Sequence, residues 1–185
     1  MKNTKKINLK NLFNKAEKLR KSGNFLEAVK FFKKILVSEP NFTPGLNGIA
    51  NCYFQLNKLD QAEKYYLICL KYATHNIQIL NNLSLLYLRN KFPDKALPIL
   101  KKSLDARKDQ LNVVEKIGYC LIELNLYSEA NTFCKKFLKI YPDNNFLISY
   151  YQKALFNLGK NVEGLKLLHK QTGFIQFEED EIKII

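Results

Sequence analysis

Apolar residues return at steps of three and four along most of this chain, the spacing of one buried face on a helix. Leu12, Phe13, Ala16 and Leu19 form one such run, and Ala28, Phe31, Phe32 and Ile35 form the next. The pattern predicts helices in pairs, at about 9–21 and 26–37, 43–56 and 59–72, and 77–89 with a partner opening at Pro93. Further pairs follow at about 110–124 and 128–140, and at 145–158 and 162–170. Polar breaks punctuate them: Ser22-Gly23-Asn24 ends the first helix, Gly159 ends another, and Pro40 and Pro142 close whole units. Gly23 is available for the left-handed residue that follows a helix, and Pro44 suits a first helical turn. Pro98 falls early inside a helix, where a late start or a mild kink would absorb it.

The pairs repeat. Ala28, Ala62, Ala96 and Ala130 lie 34 residues apart, and Ala16, Ala50, Ser84 and Gly118 keep the same step twelve residues earlier. A fixed period of this length marks a repeat architecture. A small residue at the same point of each helix lets two antiparallel helices approach closely. A larger one would overpack the contact, typically by about 1–3 kcal/mol. One hairpin cannot bury its own apolar face, so neighbours must stack.

These residues resemble the tetratricopeptide repeat, a helix–turn–helix unit of 34 residues. The small residues take the family's two small places, followed by Phe32, Tyr66, Leu100 and Cys134 at its aromatic or aliphatic place. Pro40 and Pro142 take the proline place, where Thr74 and Lys108 depart from the pattern. Leu12, Leu46, Leu80, Val114 and Ile148 replace the usual tryptophan, and a weaker fifth unit has Gln152 and Gly164 at the small places. The resemblance implies an all-α, right-handed superhelical solenoid of antiparallel hairpins. It divides the chain into a polar extension 1–8, units at about 9–42, 43–76, 77–110, 111–144 and 145–170, and a tail 171–185.

The resemblance also implies a concave groove lined by the first helix of each unit. The residues it places there are Asn47, Asn51, Phe54, Asn81, Asn82, Arg89, Asn112, Lys116, Tyr119 and Tyr150. An asparagine amide both donates and accepts, as a peptide bond does, and aromatic side chains supply anchor area. Some family members grip a C-terminal carboxylate with two Lys, two Asn and an Arg. Asn51, Asn82 and Lys116 fill three of those places, but Asn47 and Asn112 stand where lysine is needed. That argues against a carboxylate clamp. Asparagine occurs 20 times across the chain, so compositional bias competes with function for the cluster.

Composition changes the picture at three points. The formal charge of +13 is compatible with nucleic acid, an anionic membrane surface or an acidic partner, but the lysines are spread as a solvating coat. Residues 1–40 carry eleven Lys/Arg against Glu17, Glu27 and Glu39, whereas the tail gathers Glu178, Glu179, Asp180 and Glu181. The two ends therefore have opposite sign, which leaves self-association through the solenoid ends or the tail open. Phe174, Ile175, Phe177, Ile182, Ile184 and Ile185 either cover the last helix, form a linker remnant, or make a strand that docks elsewhere. Cys52, Cys69, Cys120 and Cys134 share no CxxC spacing and read as reduced packing thiols of a cytoplasmic protein.

No phosphate loop, nucleophile elbow, paired-carboxylate motif or metal-ligand cluster is present, and His75 and His169 stand alone. The chain shows no signal-peptide pattern and no apolar stretch long enough to cross a bilayer. These observations predict no catalytic residue, metal or cofactor. They predict a scaffold or adaptor for a protein or peptide partner. Rival readings are an accessory or targeting module for a separate transferase or oxygenase, and a basic surface for nucleic acid or membrane. No aromatic-plus-basic module supports the latter.

Overall fold

The computed structural model describes the backbone of residues 2–172, 175–178 and 181–184, and the side chains of residues 9–168. The chain packs as two compact units, Met1–Phe92 and Pro93–Ile185. The first holds α1 (Lys2–Lys21), α2 (Phe25–Ser38), α3 (Thr43–Gln55), α4 (Leu59–Tyr72) and α5 (Ile77–Arg89). The second holds α6 (Pro93–Ala106), α7 (Leu111–Glu123), α8 (Tyr127–Phe137), α9 (Asn145–Asn157) and α10 (Asn161–Thr172). Strands β1 (Ile175–Glu178) and β2 (Glu181–Ile184) follow.

The period read from alanines is also the period of the helix starts. Second helices open at Phe25, Leu59, Pro93, Tyr127 and Asn161, and first helices after α1 open at Thr43, Ile77, Leu111 and Asn145. Each turn inside a pair uses one left-handed residue at the same place: Gly23, Asn57, Lys91, Asn125 and Gly159. At each turn the next residue's N–H reaches back to a carbonyl of the helix it leaves. These bonds run from Asn24 to Leu19, Lys58 to Tyr53, Phe92 to Tyr87, Leu126 to Leu121 and Lys160 to Leu155, all at 2.9 Å. They satisfy carbonyls that a helix end would otherwise leave bare. Gly23 and Gly159 were legible as stops; the other three members of the series carry a Cβ and gave no glycine signal.

Within the first unit α3 lies between α2 and α4, and it also meets α1 and α5. Its core includes Phe32, Ile35, Leu46, Ile49, Tyr66, Cys69, Leu80 and Leu83. In the second unit Val114, Cys134, Phe137 and Leu147 form a buried cluster, flanked by half-buried Leu104, Phe133, Tyr141 and Tyr150. Ala16, Ala28, Ala50, Ala62, Ser84, Ala96 and Ala130 are all 0% exposed, and Gly118 and Gly164 are buried too. Ser84 is tolerated there because its hydroxyl donates to the Asn81 carbonyl at 2.9 Å.

Four sequence expectations need adjusting. Helix α1 begins at Lys2 rather than Leu9, since neither Gly nor Pro interrupts residues 1–8. Helix α6 starts at Pro93 and runs through Pro98. Pro98 lies so near the start that only one intrahelical bond, toward residue 94, is forgone. Helix α8 ends at Phe137, before the expected 140; the N–H groups of Lys139 and Ile140 bond to Lys136 and Phe137 in a tighter turn ahead of Pro142.

The fourth is the tail, which contains an antiparallel hairpin. Ile175 pairs with Ile184, Gln176 with Lys183, Phe177 with Ile182 and Glu178 with Glu181, and β1 runs beside α10. The proposed covering of the last helix by the tail's apolar side chains, Phe174 and Ile185 included, lies outside the described residues.

Candidate peptide-binding surface

In the first unit Asn47 and Asn51 stand one turn apart on α3, and Asn82 stands on α5. The Asn82 amide donates to Asn51 Oδ1 at 3.1 Å and, more weakly, to Asn47 Oδ1 at 3.5 Å. Tyr66, 1% exposed on α4, donates its hydroxyl to the same Asn51 Oδ1 at 2.5 Å. One carbonyl therefore ties three helices. The NH₂ groups of Asn47 and Asn51 and the carbonyl oxygen of Asn82 keep no protein partner among the described residues, so two kinds of hydrogen-bonding group remain for a ligand. Nearby the Arg89 guanidinium lies 5.1 Å from the centre of the Phe54 ring, a cation–π distance.

A recess of about 270 Å³ opens beside the amides, lined by Phe13, Glu17, Arg20, Asn47, Asn51 and Asn76 among others. Arg20 donates to both Glu17 oxygens, at 3.0 and 2.8 Å. This hydrogen-bonded pair holds the Arg20 pKa above its ordinary value. The recess thus contains one cation and one anion that neutralise each other. Among the described lining residues Arg20 is the one cation, and it is held by Glu17. Gly48 lines the floor, where a Cβ would fall 2.5 Å from the Phe32 ring. Asn81 is half-buried on the same helix as Asn82.

The remaining sequence-predicted positions belong to the second unit. On α7 Asn112 is exposed and Lys116 half-buried, while Tyr119 is 40% exposed. Tyr150 is half-buried on α9, and its ring occupies the space beside Gly118, 2.7 Å from where a Cβ would stand. Tyr150 therefore packs against Gly118 while remaining partly exposed. Glu115 accepts the Asn144 amide at 2.7 Å, while Asn144 Oδ1 accepts the Leu147 N–H and caps α9.

Sequence reasoning missed two contributors. Tyr66 stood out only as a repeat aromatic; the usable signal was its hydroxyl, in a series whose other members are Phe32, Leu100 and Cys134. Gly48 lay off both small-residue series. The four cysteines are free and buried. Burial pushes Cys52 up to about 11 and Cys69, Cys120 and Cys134 up to about 12, so all are thiols at neutral pH and poor nucleophiles. Among the described residues no group of His, Cys, Asp and Glu is arranged to hold a metal, and no helix is long and apolar enough to cross a membrane.

Hairpins in register, closed by one recurring turn, define a helical-repeat protein. Residues 44–76 and residues 115–144 each match a family model described as "Tetratricopeptide repeat". The chain carries tetratricopeptide repeats, which supports a protein–protein interaction scaffold. The fold is that of solved members. "MamA AMB-1" superposes with a TM-score of 0.78 at 20% identity, over 91% of this chain and 92% of the other. A second structure, "YrrB: a TPR protein with an unusual peptide-binding site", gives 0.75 at 18% identity over 86% and 82%. In Drosophila melanogaster, "Protein O-mannosyl-transferase Tmtc3" is 34% identical over 91 residues, which are 49% of this chain; the match spans a tenth of that relative's length.

Proposed function

We propose that the chain is a non-catalytic adaptor that holds an extended peptide, or one face of a partner helix, on the first-helix surface of its first unit. The observation that carries this reading is the amide cluster of Asn47, Asn51 and Asn82. It is preorganised by the buried Tyr66 hydroxyl and still offers free donors and a free acceptor. Affinity then comes from hydrogen bonds to peptide groups, with the Phe54–Arg89 pair as an anchor. In the second unit, taken by itself, Asn112, Lys116 and Tyr119 are the candidate positions on the first helix α7. Free, buried cysteines suit a cytoplasmic setting.

The test is affinity capture from lysate of the source cell with the intact chain and with Asn82→Ala/Arg89→Ala, at low and high salt. A discrete protein that survives high salt and is lost with the variant is the expected result. Equal capture by both forms moves the site elsewhere. Nucleic acid or lipid that washes off with salt equally from both forms would make the surface charge the function. A second reading, a module that accompanies a separate transferase, draws on the likeness to part of the Drosophila O-mannosyl-transferase. Under it, capture returns one stoichiometric enzyme rather than peptide-bearing partners.

A further inference from the structure

The second unit carries a larger recess that the peptide-binding reading does not use. It measures about 610 Å³, within the roughly 300–1,000 Å³ range of ligand pockets. Its apolar lining comes from three helical segments: Leu138 just past α8, Ile148 and Tyr151 on α9, and Leu167 on α10. Ile148 is 8% exposed, and the other three are half-buried, so the recess presents apolar surface within reach of solvent. Burial holds the Tyr151 hydroxyl above its ordinary pKa, and that hydroxyl has no hydrogen-bond partner among the described residues.

The rim carries charge. Lys135 and Lys139 line it, four positions apart and exposed. Neither holds an ion pair among the described residues, unlike Lys101, which pairs with Glu129 in the same unit. Asp143 is the one carboxylate among the described lining residues. An apolar floor beneath two uncommitted cations is complementary to an apolar side chain flanked by carboxylates.

We propose that this recess is a second docking site, for a peptide segment of another protein that carries an aromatic or aliphatic anchor between acidic residues. The anchor fills the space between Leu138, Ile148, Tyr151 and Leu167, and the flanking carboxylates meet Lys135 and Lys139. The site differs from the amide cluster of the first unit in chemistry: one recess is polar and charge-balanced, the other apolar with a positive rim.

The probe is a fluorescein-labelled heptapeptide, EEDFLDE, followed by fluorescence polarisation on the full chain. The comparators are EEDAADE and the basic peptide KKKFLKK. Lys135→Glu/Lys139→Glu alters two exposed side chains, and circular dichroism checks that it folds. The expected result is saturable binding of EEDFLDE that falls at least about ten-fold in the double variant, because reversing both charges sets carboxylates against the carboxylates of the peptide. EEDAADE should bind at least as much more weakly, and KKKFLKK should gain affinity for the variant. No binding of EEDFLDE at millimolar concentration overturns the proposal. So does equal binding to wild type and variant, or no loss with EEDAADE. A chain that sediments as a dimer and becomes a monomer on Lys135→Glu/Lys139→Glu overturns it as well, by giving the recess to a second copy.

Discussion

Asn51 has both a structural and a ligand-facing role. Its carbonyl accepts from the buried Tyr66 hydroxyl and from Asn82, while its NH₂ is left for a ligand. Asn51→Ala strands the Tyr66 hydroxyl in the core, so stability should fall by about 1–3 kcal/mol in urea unfolding. In a Tyr66→Phe background the same change should cost much less; an undiminished loss there removes the assigned bond. Asn82→Ala leaves the Tyr66–Asn51 bond intact and should perturb folding less, which is why it serves as the binding variant. Gly48→Ala sets a Cβ 2.5 Å from a ring carbon of Phe32, itself 0% exposed. The expected cost is about 1–3 kcal/mol of overpacking, partly relieved by Phe32→Leu in the same chain. The buried thiols give a pH signature. Their folded pKa values of about 11 to 12 lie above the ordinary thiol value near 8.5. The unfolded chain therefore releases protons first as pH rises. Stability from this source is complete below about pH 8 and declines from about pH 9 upward. A urea midpoint that stays flat from pH 7 to 10.5 would contradict it.

The turns are where element geometry and sequence agree least. Five left-handed residues recur at one place in the repeat, and Lys91 is the one with a long side chain and no local amide. A left-handed conformation costs an ordinary L-residue roughly 1–2 kcal/mol, which Gly avoids and Asn lessens. Lys91→Asn, matching Asn57 and Asn125, should raise stability by up to about 1 kcal/mol; a fall in the thermal midpoint would show that Lys91 makes a compensating contact. The connections between pairs use different devices at equivalent positions. Asn76 and Asn144 cap α5 and α9 through Ile79 and Leu147 N–H groups. Gln110 instead turns its buried amide back to the carbonyls of Ser103 and Arg107, both at 2.7 Å, closing the end of α6. Helix starts after α1 were legible to within a residue or two because apolar period and proline placement are local. The Asn76 and Asn144 caps are equally local, each oxygen accepting an N–H three residues on, whereas the Gln110 closure was not legible, because it depends on how the connection folds back against the end of α6.

For the molecule as a whole, charge is the dominant sequence-level term. A formal charge of +13 over 185 residues repels itself in the compact state. Ion pairs such as Lys30–Glu27 and Lys101–Glu129 are exposed and worth little individually, while Arg20–Glu17 is part-buried. Raising sodium chloride from 50 to 500 mM should therefore raise the thermal midpoint, since screening shortens the range of repulsion to a few ångströms. A lower midpoint at high salt would mean that attractive pairs outweigh the net charge. The two recesses separate the same way: salt should weaken acidic-peptide binding at Lys135 and Lys139 and leave the charge-balanced first-unit site little changed.

The amino-acid sequence determined the helix pairs, their period and the small residues at each crossing. All three follow from side-chain volume and apolar spacing, which act over one or two turns. It also nominated the asparagines without ranking them. Only the tertiary structure decided that Asn47, Asn51 and Asn82 form one bonded cluster, that Tyr150 packs on Gly118, and that Lys135 and Lys139 stand above an apolar recess. These outcomes depend on which residues from separate helices are brought within hydrogen-bonding or van der Waals distance, and no spacing along one helix encodes that.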